Sequence, residues 1–77
     1  MKDKNKLFIS ELAELTGLKF TTLKFYVEND LIPFEQESTQ ARRVFNKVAS
    51  VKRIKEIVKL REKRFTIDEI KKKLSNQ

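Results

Sequence analysis

The sequence predicts a mainly α-helical fold of four helices with a small β-hairpin wing, and three observations predict it. The chain has 77 residues, which is enough for one compact domain and too few for two. Four segments carry apolar residues at helical spacing, and the second and third of them are separated by a segment with strand and turn character. We therefore expect residues 1–77 to form a single domain with its core in residues 7–74, in the order helix, turn, helix, wing, helix, helix.

The first helix is predicted in residues 9–15, where apolar residues recur at positions i, i+3, i+4 and i+6. Ser10 is the expected N-cap because its hydroxyl can accept a hydrogen bond from the first turn, and Glu11 suits the positive end of the helix dipole. Gly17, the single glycine of the chain, is expected to end the helix at a positive φ angle. Leu18 can then fill the corner of a tight turn between two helices.

The second helix is predicted over residues 21–29, with Leu23 and Val27 four residues apart on its inner face. At about 100° per residue, the opposite side carries four other residues: Thr21, Lys24, Phe25 and Glu28. Pro33 cannot lie inside a helix, so the chain is expected to turn before it and to place Leu31 and Ile32 in the core.

Residues 34–45 are expected to form the wing. A polar stretch lies between Phe34 and a basic, strand-compatible segment at 42–45, so a short hairpin with a flexible tip is predicted. Adjacent side chains of a strand alternate between its faces. Arg42 and Arg43 are therefore expected to point to opposite sides.

The third and fourth helices are predicted from their caps and their apolar stripes. Asn46 is a good N-cap for a long third helix, in which apolar residues recur every three positions: Val48, Val51, Ile54, Ile57 and Leu60. Thr66 and Glu69 have the spacing of a capping box. They are expected to open a short last helix with three inward-facing residues: Ile67, Ile70 and Leu74.

The net charge of +7 is unevenly distributed along the chain. Residues 1–41 carry five basic and seven acidic side chains, whereas residues 42–64 carry ten basic and two acidic ones. This concentration favours a polyanionic partner. A solvated lysine-rich surface would give the same composition, so charge alone does not separate the two interpretations.

Several function classes are disfavoured by what the sequence lacks. Without Cys or His, the chain has neither the ligands of ordinary zinc sites nor the commonest general base. Carboxylate pairs such as Asp68 and Glu69 lie in first turns of predicted helices, where the helix dipole accounts for them, and no glycine-rich phosphate loop is present. We therefore expect no enzyme activity, no catalytic residue, no metal site and no cofactor.

Neither a signal peptide nor a membrane span is indicated. The basic start at residues 1–6 is not followed by an apolar run of signal-peptide length, and no stretch approaches about 18 apolar residues. A cytoplasmic, nucleoid-associated localisation without a membrane partner is expected.

A helix-turn-helix unit in residues 9–29, followed by a basic wing, is typical of proteins that bind double-stranded DNA. A helix fits the major groove, about 12 Å wide, and can present hydrogen-bonding side chains to base edges while a neighbouring helix supports it. The spacing also fits a plain helical hairpin without such a role.

The residues themselves resemble the N-terminal DNA-binding domain of the MerR family of transcription regulators over about residues 7–74. Five motifs recur in order and with similar gaps: Ile9-Ser10-Glu11-Leu12-Ala13, Thr22-Leu23-Lys24-Phe25-Tyr26-Val27, Leu31-Ile32-Pro33, Arg43-Val44-Phe45 and Phe65-Thr66-Ile67-Asp68-Glu69-Ile70. The resemblance implies a winged helix-turn-helix fold and a bacterial-type regulator that binds specific DNA sites.

By this resemblance, the second helix at 21–29 reads the major groove and the wing at 34–45 lies on the flanking backbone. Lys24, Phe25 and Tyr26 occupy the family's Arg-Tyr-Tyr positions, and Arg43 matches its wing arginine. With the outward-facing neighbours, this gives seven candidate DNA-binding residues: Thr21, Thr22, Lys24, Phe25, Tyr26, Arg42 and Arg43.

Two departures from the family pattern affect this prediction. Val27 stands where the family has a glutamate, which removes a possible carboxylate partner for Arg43. Phe25 lacks the hydroxyl that could bond a phosphate, and apolar contact with a thymine methyl group is expected of it instead.

Members of the family normally continue into a long dimerisation helix and an effector domain, whereas this sequence ends at Gln77. It is expected to be a fragment of a longer regulator or a minimal member resembling small phage and transposon excisionases. We expect a monomer that can form a homodimer on DNA or through a C-terminal extension not present in this chain. Two alternatives stay open: an excisionase-like or chromosome-organising architectural DNA-binding protein, and a basic interaction module for RNA or an acidic protein.

Overall fold

Four helices and one pair of two-residue strands make up the fold in a computed structural model that describes residues 5–75. The elements follow one another along the chain: β1 (Lys6–Leu7), α1 (Ile9–Thr16), α2 (Phe20–Glu28), β2 (Phe45–Asn46), α3 (Lys47–Glu62) and α4 (Ile67–Ser75). The prediction of a mainly α-helical, winged helix-turn-helix fold is confirmed. Residues 1–4 and 76–77, which the predicted domain and the charge balance include, lie outside the described residues.

The start of α1 differs from the prediction. Ser10 lies within the helix, and Phe8 occupies the N-cap position, so the prediction of Ser10 as N-cap is wrong. The physical reason is that the Glu11 carboxylate takes over the capping role, accepting a hydrogen bond from the Phe8 backbone N–H at 2.8 Å. Gly17 ends the helix as predicted, with a φ of 76°. This left-handed conformation costs other residues about 1 kcal/mol or more.

The second helix, α2, begins at Phe20, one residue earlier than predicted, and buries its predicted inner face. It ends in a left-handed turn in which Asp30 has a φ of 60°. The Leu31 backbone N–H donates to the Tyr26 carbonyl oxygen at 3.0 Å across this turn. The turn directs Leu31 and Ile32 into the core, where each is 1% exposed, as predicted.

The wing is the loop between α2 and β2, and it closes on itself through an antiparallel bridge between Glu35 and Val44. Each of these residues donates its backbone N–H to the carbonyl oxygen of the other at 2.8 Å. The strand predicted at residues 42–45 is shorter in the structure, where Arg42 and Arg43 belong to no strand. Phe45 and Asn46, which form β2, pair antiparallel with Leu7 and Lys6 of β1. The sequence did not predict this pairing.

The third helix, α3, is capped as predicted, with the Asn46 side-chain oxygen accepting a first-turn backbone N–H at 2.9 Å. The predicted apolar stripe is wrong at one end, since Val48 is 68% exposed while Ser50 is fully buried. Three residues advance about 300° around a helix, so a stripe of that period drifts by about 60° at each step. Ile54 and Ile57, in the middle of the stripe, are buried as predicted.

A capping box opens α4, as predicted. The Thr66 backbone N–H donates to the Glu69 carboxylate at 2.8 Å, and the Glu69 backbone N–H donates to the Thr66 hydroxyl at 3.2 Å. The hydrogen bond from the Thr66 backbone, followed by that from its side chain, lowers the pKa of Glu69. Before this box, Arg64 ends the turn after α3 with a φ of 70°.

A single core cluster joins the four helices and fixes the position of α2 against the other three. Every helix contributes to it: Leu12, Leu23, Tyr26, Val27, Leu31, Ile32, Phe45, Ile54, Ile57, Ile70 and Leu74. Full burial of one such side chain stabilises a fold by about 1.5–3 kcal/mol. Within residues 5–75, no helix is both long enough and apolar enough to cross a membrane.

Candidate nucleic-acid interface

The outer face of α2 and the wing lie side by side and form a cleft of about 420 Å³, which we call the α2–wing cleft. Lys24 of α2 and Arg42 and Arg43 of the wing line it together. Phe8 and Phe20 lie beside them on its surface. Three candidate residues predicted from separate parts of the sequence therefore meet in one place.

The candidate residues on α2 differ in exposure according to the side of the helix on which they lie. Thr21, Lys24 and Phe25 are exposed on the outer side, with half of the Phe25 surface accessible. Thr22 is half-buried at the border of this side. The four side chains therefore form an outward surface of mixed character, with hydroxyl, ammonium and aromatic groups.

Tyr26 differs from the other candidates because its ring belongs to the core. The residue is 7% exposed, and its ring centroid lies 6.1 Å from that of Phe25. The Tyr26 hydroxyl makes no hydrogen bond within the described residues. Because Ser50 Oγ is the one fully enclosed side-chain oxygen there that lacks a partner, the Tyr26 hydroxyl is not fully enclosed. Tyr26 is therefore anchored by its ring, while its hydroxyl stays unpaired among residues 5–75.

Both wing arginines lie over aromatic rings. The guanidinium carbon of Arg42 is 3.7 Å from the centroid of the Phe8 ring, and that of Arg43 is 4.7 Å from the centroid of the Phe34 ring. A cation above a ring face is stabilised by about 0.5–1 kcal/mol at exposed sites. The two side chains thus contact different neighbours, although they lie in a loop and not in the predicted strand.

Arg43 also has a carboxylate partner, which corrects the expectation drawn from Val27. Its Nη1 atom lies 3.1 Å from Glu28 Oε2. Val27 faces the core and is 2% exposed, whereas Glu28, the next residue of α2, is exposed beside the wing. Ion pairs at such exposed positions contribute about 0–1 kcal/mol to stability. The main effect of this pair is therefore to orient the guanidinium.

The aromatic residues around the cleft were missed by the sequence analysis. Phe20 is 48% exposed, and it lies one helical turn before Lys24 on the same side of α2. A signal for this was present in the composition, because six phenylalanines are many for the core of a 77-residue chain; in the structure, only Phe45 of the six is fully buried. More aromatic residues than a small core can enclose indicate exposed rings with another role.

The wing is closed across its tip, and its base is tied to the segment before α1. Across the tip, the Gln36 side chain donates to the Ala41 carbonyl oxygen at 2.8 Å. At its base, Lys6 Nζ of β1 lies 3.0 Å from Glu35 Oε1. Arg42 above Phe8 adds a second contact with the segment before α1.

The N-terminus of α2 has no side-chain cap. Lys19 occupies the N-cap position with an extended backbone, and its side chain accepts no hydrogen bond from the first turn. The first backbone N–H groups of a helix lack carbonyl partners within that helix. They are therefore available to an anionic group at the start of α2. Within residues 5–75, no cluster of acidic side chains is arranged to hold a metal ion.

Comparison with known families gives one match of nearly full length. A family model described as MerR HTH family regulatory protein matches residues 8–77. The comparison with curated proteins and the comparison with solved structures gave no match.

Proposed function

Since the chain belongs to the MerR HTH family of regulatory proteins, which confirms the resemblance found in its sequence, we propose that it regulates transcription by binding specific sites on double-stranded DNA. One observation carries the proposal: Lys24, Arg42 and Arg43 line a single cleft although they come from two elements. A helix that presents base-reading groups beside a basic loop is suited to grip a groove and its flanking phosphates.

In this proposal α2 enters the major groove and reads base edges. Lys24 bonds O6 and N7 of a guanine, because it is exposed on the outer side of the helix. Phe25 contacts a thymine methyl group, and the half-exposed ring of Phe20 can add a second apolar contact. Thr21 donates to a base or a sugar-phosphate oxygen nearby.

The N-terminus of α2 and the Tyr26 hydroxyl bind phosphates and so set the position of the helix on the duplex. The uncapped N-terminus combines free backbone N–H groups with the positive end of the helix dipole, a combination that favours phosphate. Thr22 lies in the first turn, where its hydroxyl can join this contact. Tyr26 contributes its hydroxyl, which is unpaired among the described residues, on the other side of the helix, while its buried ring holds the position of that hydroxyl.

The wing arginines bind the flanking backbone or a narrow minor groove beside it. Arg42 and Arg43 are already held above Phe8 and Phe34, and Glu28 orients Arg43. A side chain that is ordered before binding loses less conformational entropy in the complex. The pair with Glu28 also leaves most of the guanidinium N–H groups free to donate to phosphate.

The proposal is tested by selecting a preferred duplex from a randomised library and measuring its affinity by fluorescence anisotropy over a range of salt concentrations. We expect the logarithm of the binding constant to fall with the logarithm of the salt concentration, with a slope of about −0.9 for each phosphate contacted. We also expect a scrambled duplex to bind at least about a thousandfold more weakly at physiological salt.

Two results would contradict the proposal in different ways. A slope near zero would mean that the basic surface does not bind the DNA backbone. A steep slope with equal affinity for the preferred and scrambled duplexes would mean that the protein binds DNA as a general architectural protein, without reading sequence.

A further inference from the structure

We propose that the groove between α1 and α3 binds an acidic amphipathic helix of a partner protein. This α1–α3 groove is formed by exposed or half-buried aliphatic side chains of the two helices and the turn after α1: Leu15, Leu18, Val48, Val51 and Val58. It lies apart from the α2–wing cleft, and the two share no lining residue.

The floor of the groove is apolar. It consists of two adjoining cavities of about 430 Å³ and 590 Å³, both lined by Leu15 and Val51. Leu15 is 50% exposed and Val48 is 68% exposed, the highest values among the large aliphatic residues described. Exposed apolar surface of this kind, when it is contiguous and rimmed by polar groups, marks interaction sites.

The shape of the groove fits a helix. Val48, Val51 and Val58 follow the outer side of α3, and the ten helical rises from residue 48 to residue 58 give a length of about 15 Å. Leu15 and Leu18 form the opposite bank. A helix of about three turns would lie between the banks and place side chains at i, i+3 and i+4 on the apolar floor.

The charge around the groove selects an acidic partner. Of the charged side chains that line its two cavities, four are lysines and one is a glutamate: Lys47, Lys52, Lys55, Lys59 and Glu62. Within residues 5–75, none of the four lysines takes part in an ion pair. A partner with carboxylates along the edge that faces α3 would place opposite charges in contact, which favours association and correct register.

The groove fits a second copy of this chain less well. Two copies joined through α3 would bring the two rows of lysines together, and like charges facing each other across an interface oppose association. The net charge of +7 on each copy adds to this repulsion. Glu11 and Glu14 lie at the α1 end of the groove, where they line a depression together with Leu15 and Lys47, whereas Lys52, Lys55 and Lys59 do not line it.

The test uses the full chain labelled with ¹⁵N and three synthetic peptides of about 15 residues. The probe has leucines at helical spacing with glutamates along one edge. The first control has lysine in place of every glutamate, and the second has the probe's composition in scrambled order. We expect the probe to shift amide signals of α1 and α3 but not those of α2 or the wing, and to bind at least about tenfold more tightly than either control.

Three variants separate the apolar and the charged contributions. Val48→Ser removes exposed apolar contact and Lys55→Glu reverses one charge on the rim, and each should weaken probe binding by at least about fivefold. Lys72→Glu, a matched change on the exposed surface of α4, should leave it unchanged. Circular dichroism must first show that all three variants fold like the parent chain.

Several results would overturn the proposal. They are equal affinity for the glutamate and lysine peptides, signal changes confined to α2 and the wing, or unchanged probe binding by Val48→Ser and Lys55→Glu. Sedimentation showing a dimer that Val48→Ser dissociates would assign the groove to a second copy instead. None of these results affects DNA binding through the α2–wing cleft, because that cleft is formed by other residues.

Discussion

The α2–wing cleft and the outer surface of α3 carry charge of the same sign but hold it differently. In the cleft, Arg42 and Arg43 lie against aromatic rings, and Arg43 is paired with Glu28. On α3, the lysines make no ion pair within the described part of the chain. For DNA, the comparison indicates that the order of the charged side chains, more than their number, distinguishes a surface that can read a site from one that adds a general attraction.

The physical basis of this difference is entropic and electrostatic. Ordering a free lysine side chain in a complex costs up to about 2 kcal/mol of rotamer entropy. Beyond about 8 Å, its charge is largely screened at physiological salt. Side chains that are already held by neighbouring groups avoid most of this loss of rotamer entropy. We therefore expect sequence recognition to depend on the cleft, and the α3 lysines to contribute a general attraction to DNA.

The largest expected effect is that of Lys24→Ala. It should weaken binding to the preferred duplex by up to about 3 kcal/mol and relax the sequence preference, because a contact with a base edge is lost. The matched control Lys52→Ala, on the exposed surface of α3, should have a much smaller effect that is equal for all sequences. Anisotropy titrations with preferred and scrambled duplexes measure both. An equal loss on both duplexes for Lys24→Ala would reduce Lys24 to a phosphate contact and remove the distinction between the two surfaces.

A smaller effect is expected for Arg43→Ala. Loss of one charged hydrogen bond to the backbone should cost about 1.5 kcal/mol on preferred and scrambled duplexes alike. It should also reduce the salt slope by about 0.9. Arg61→Ala, which removes an exposed arginine from α3, is the matched control and should leave the slope nearly unchanged.

The Arg43→Ala substitution also leaves Glu28 unpaired near the DNA, where its charge would repel phosphate. The double variant with Glu28→Gln separates this repulsion from the lost contact. If the loss for Arg43→Ala were confined to the preferred duplex, the wing would be reading bases instead of the backbone.

The smallest expected effect concerns the inner side of α3. Ser50 is fully buried, and its hydroxyl has no hydrogen-bond partner among residues 5–75. Ser50→Ala should raise the free energy of unfolding by about 1 kcal/mol, because an unsatisfied buried polar group is removed with little change in volume. DNA affinity should not change. Urea denaturation measures the first quantity, and a loss of stability would show that the hydroxyl is satisfied in solution.

Local patterns in the sequence were sufficient to predict most of the helices. Leu23 and Val27 were correctly placed in the core, and the caps at Asn46 and Thr66 were correctly identified, because each depends on residues within one or two turns. Ser10 failed as an N-cap for the same local reason, since a competing carboxylate three residues from Phe8 satisfies the helix start.

The parts of the site that could not be predicted depend on contacts between distant segments. The pairing of β1 with β2 joins residues about forty positions apart, as seen for Lys6 and Asn46. The ion pair between Glu28 and Arg43 spans 15 positions and depends on how α2 packs under the wing. Spacing in the sequence contains no information about which of several glutamates will reach a given arginine. Only the packed structure decides this.

The attachment of the wing to the segment before α1 has a practical consequence for experiments on this protein. The wing is held by β1, by Lys6 and by the ring of Phe8, so its position depends on residues 6–8, far from it in sequence. A truncation that removes this segment would release the base of the wing, because these contacts would be lost. In such a protein Arg42 would lose its contact with the Phe8 ring, whereas Arg43 would keep its contacts with Phe34 and Glu28. DNA affinities measured with such a protein would therefore lack the contribution of the held wing.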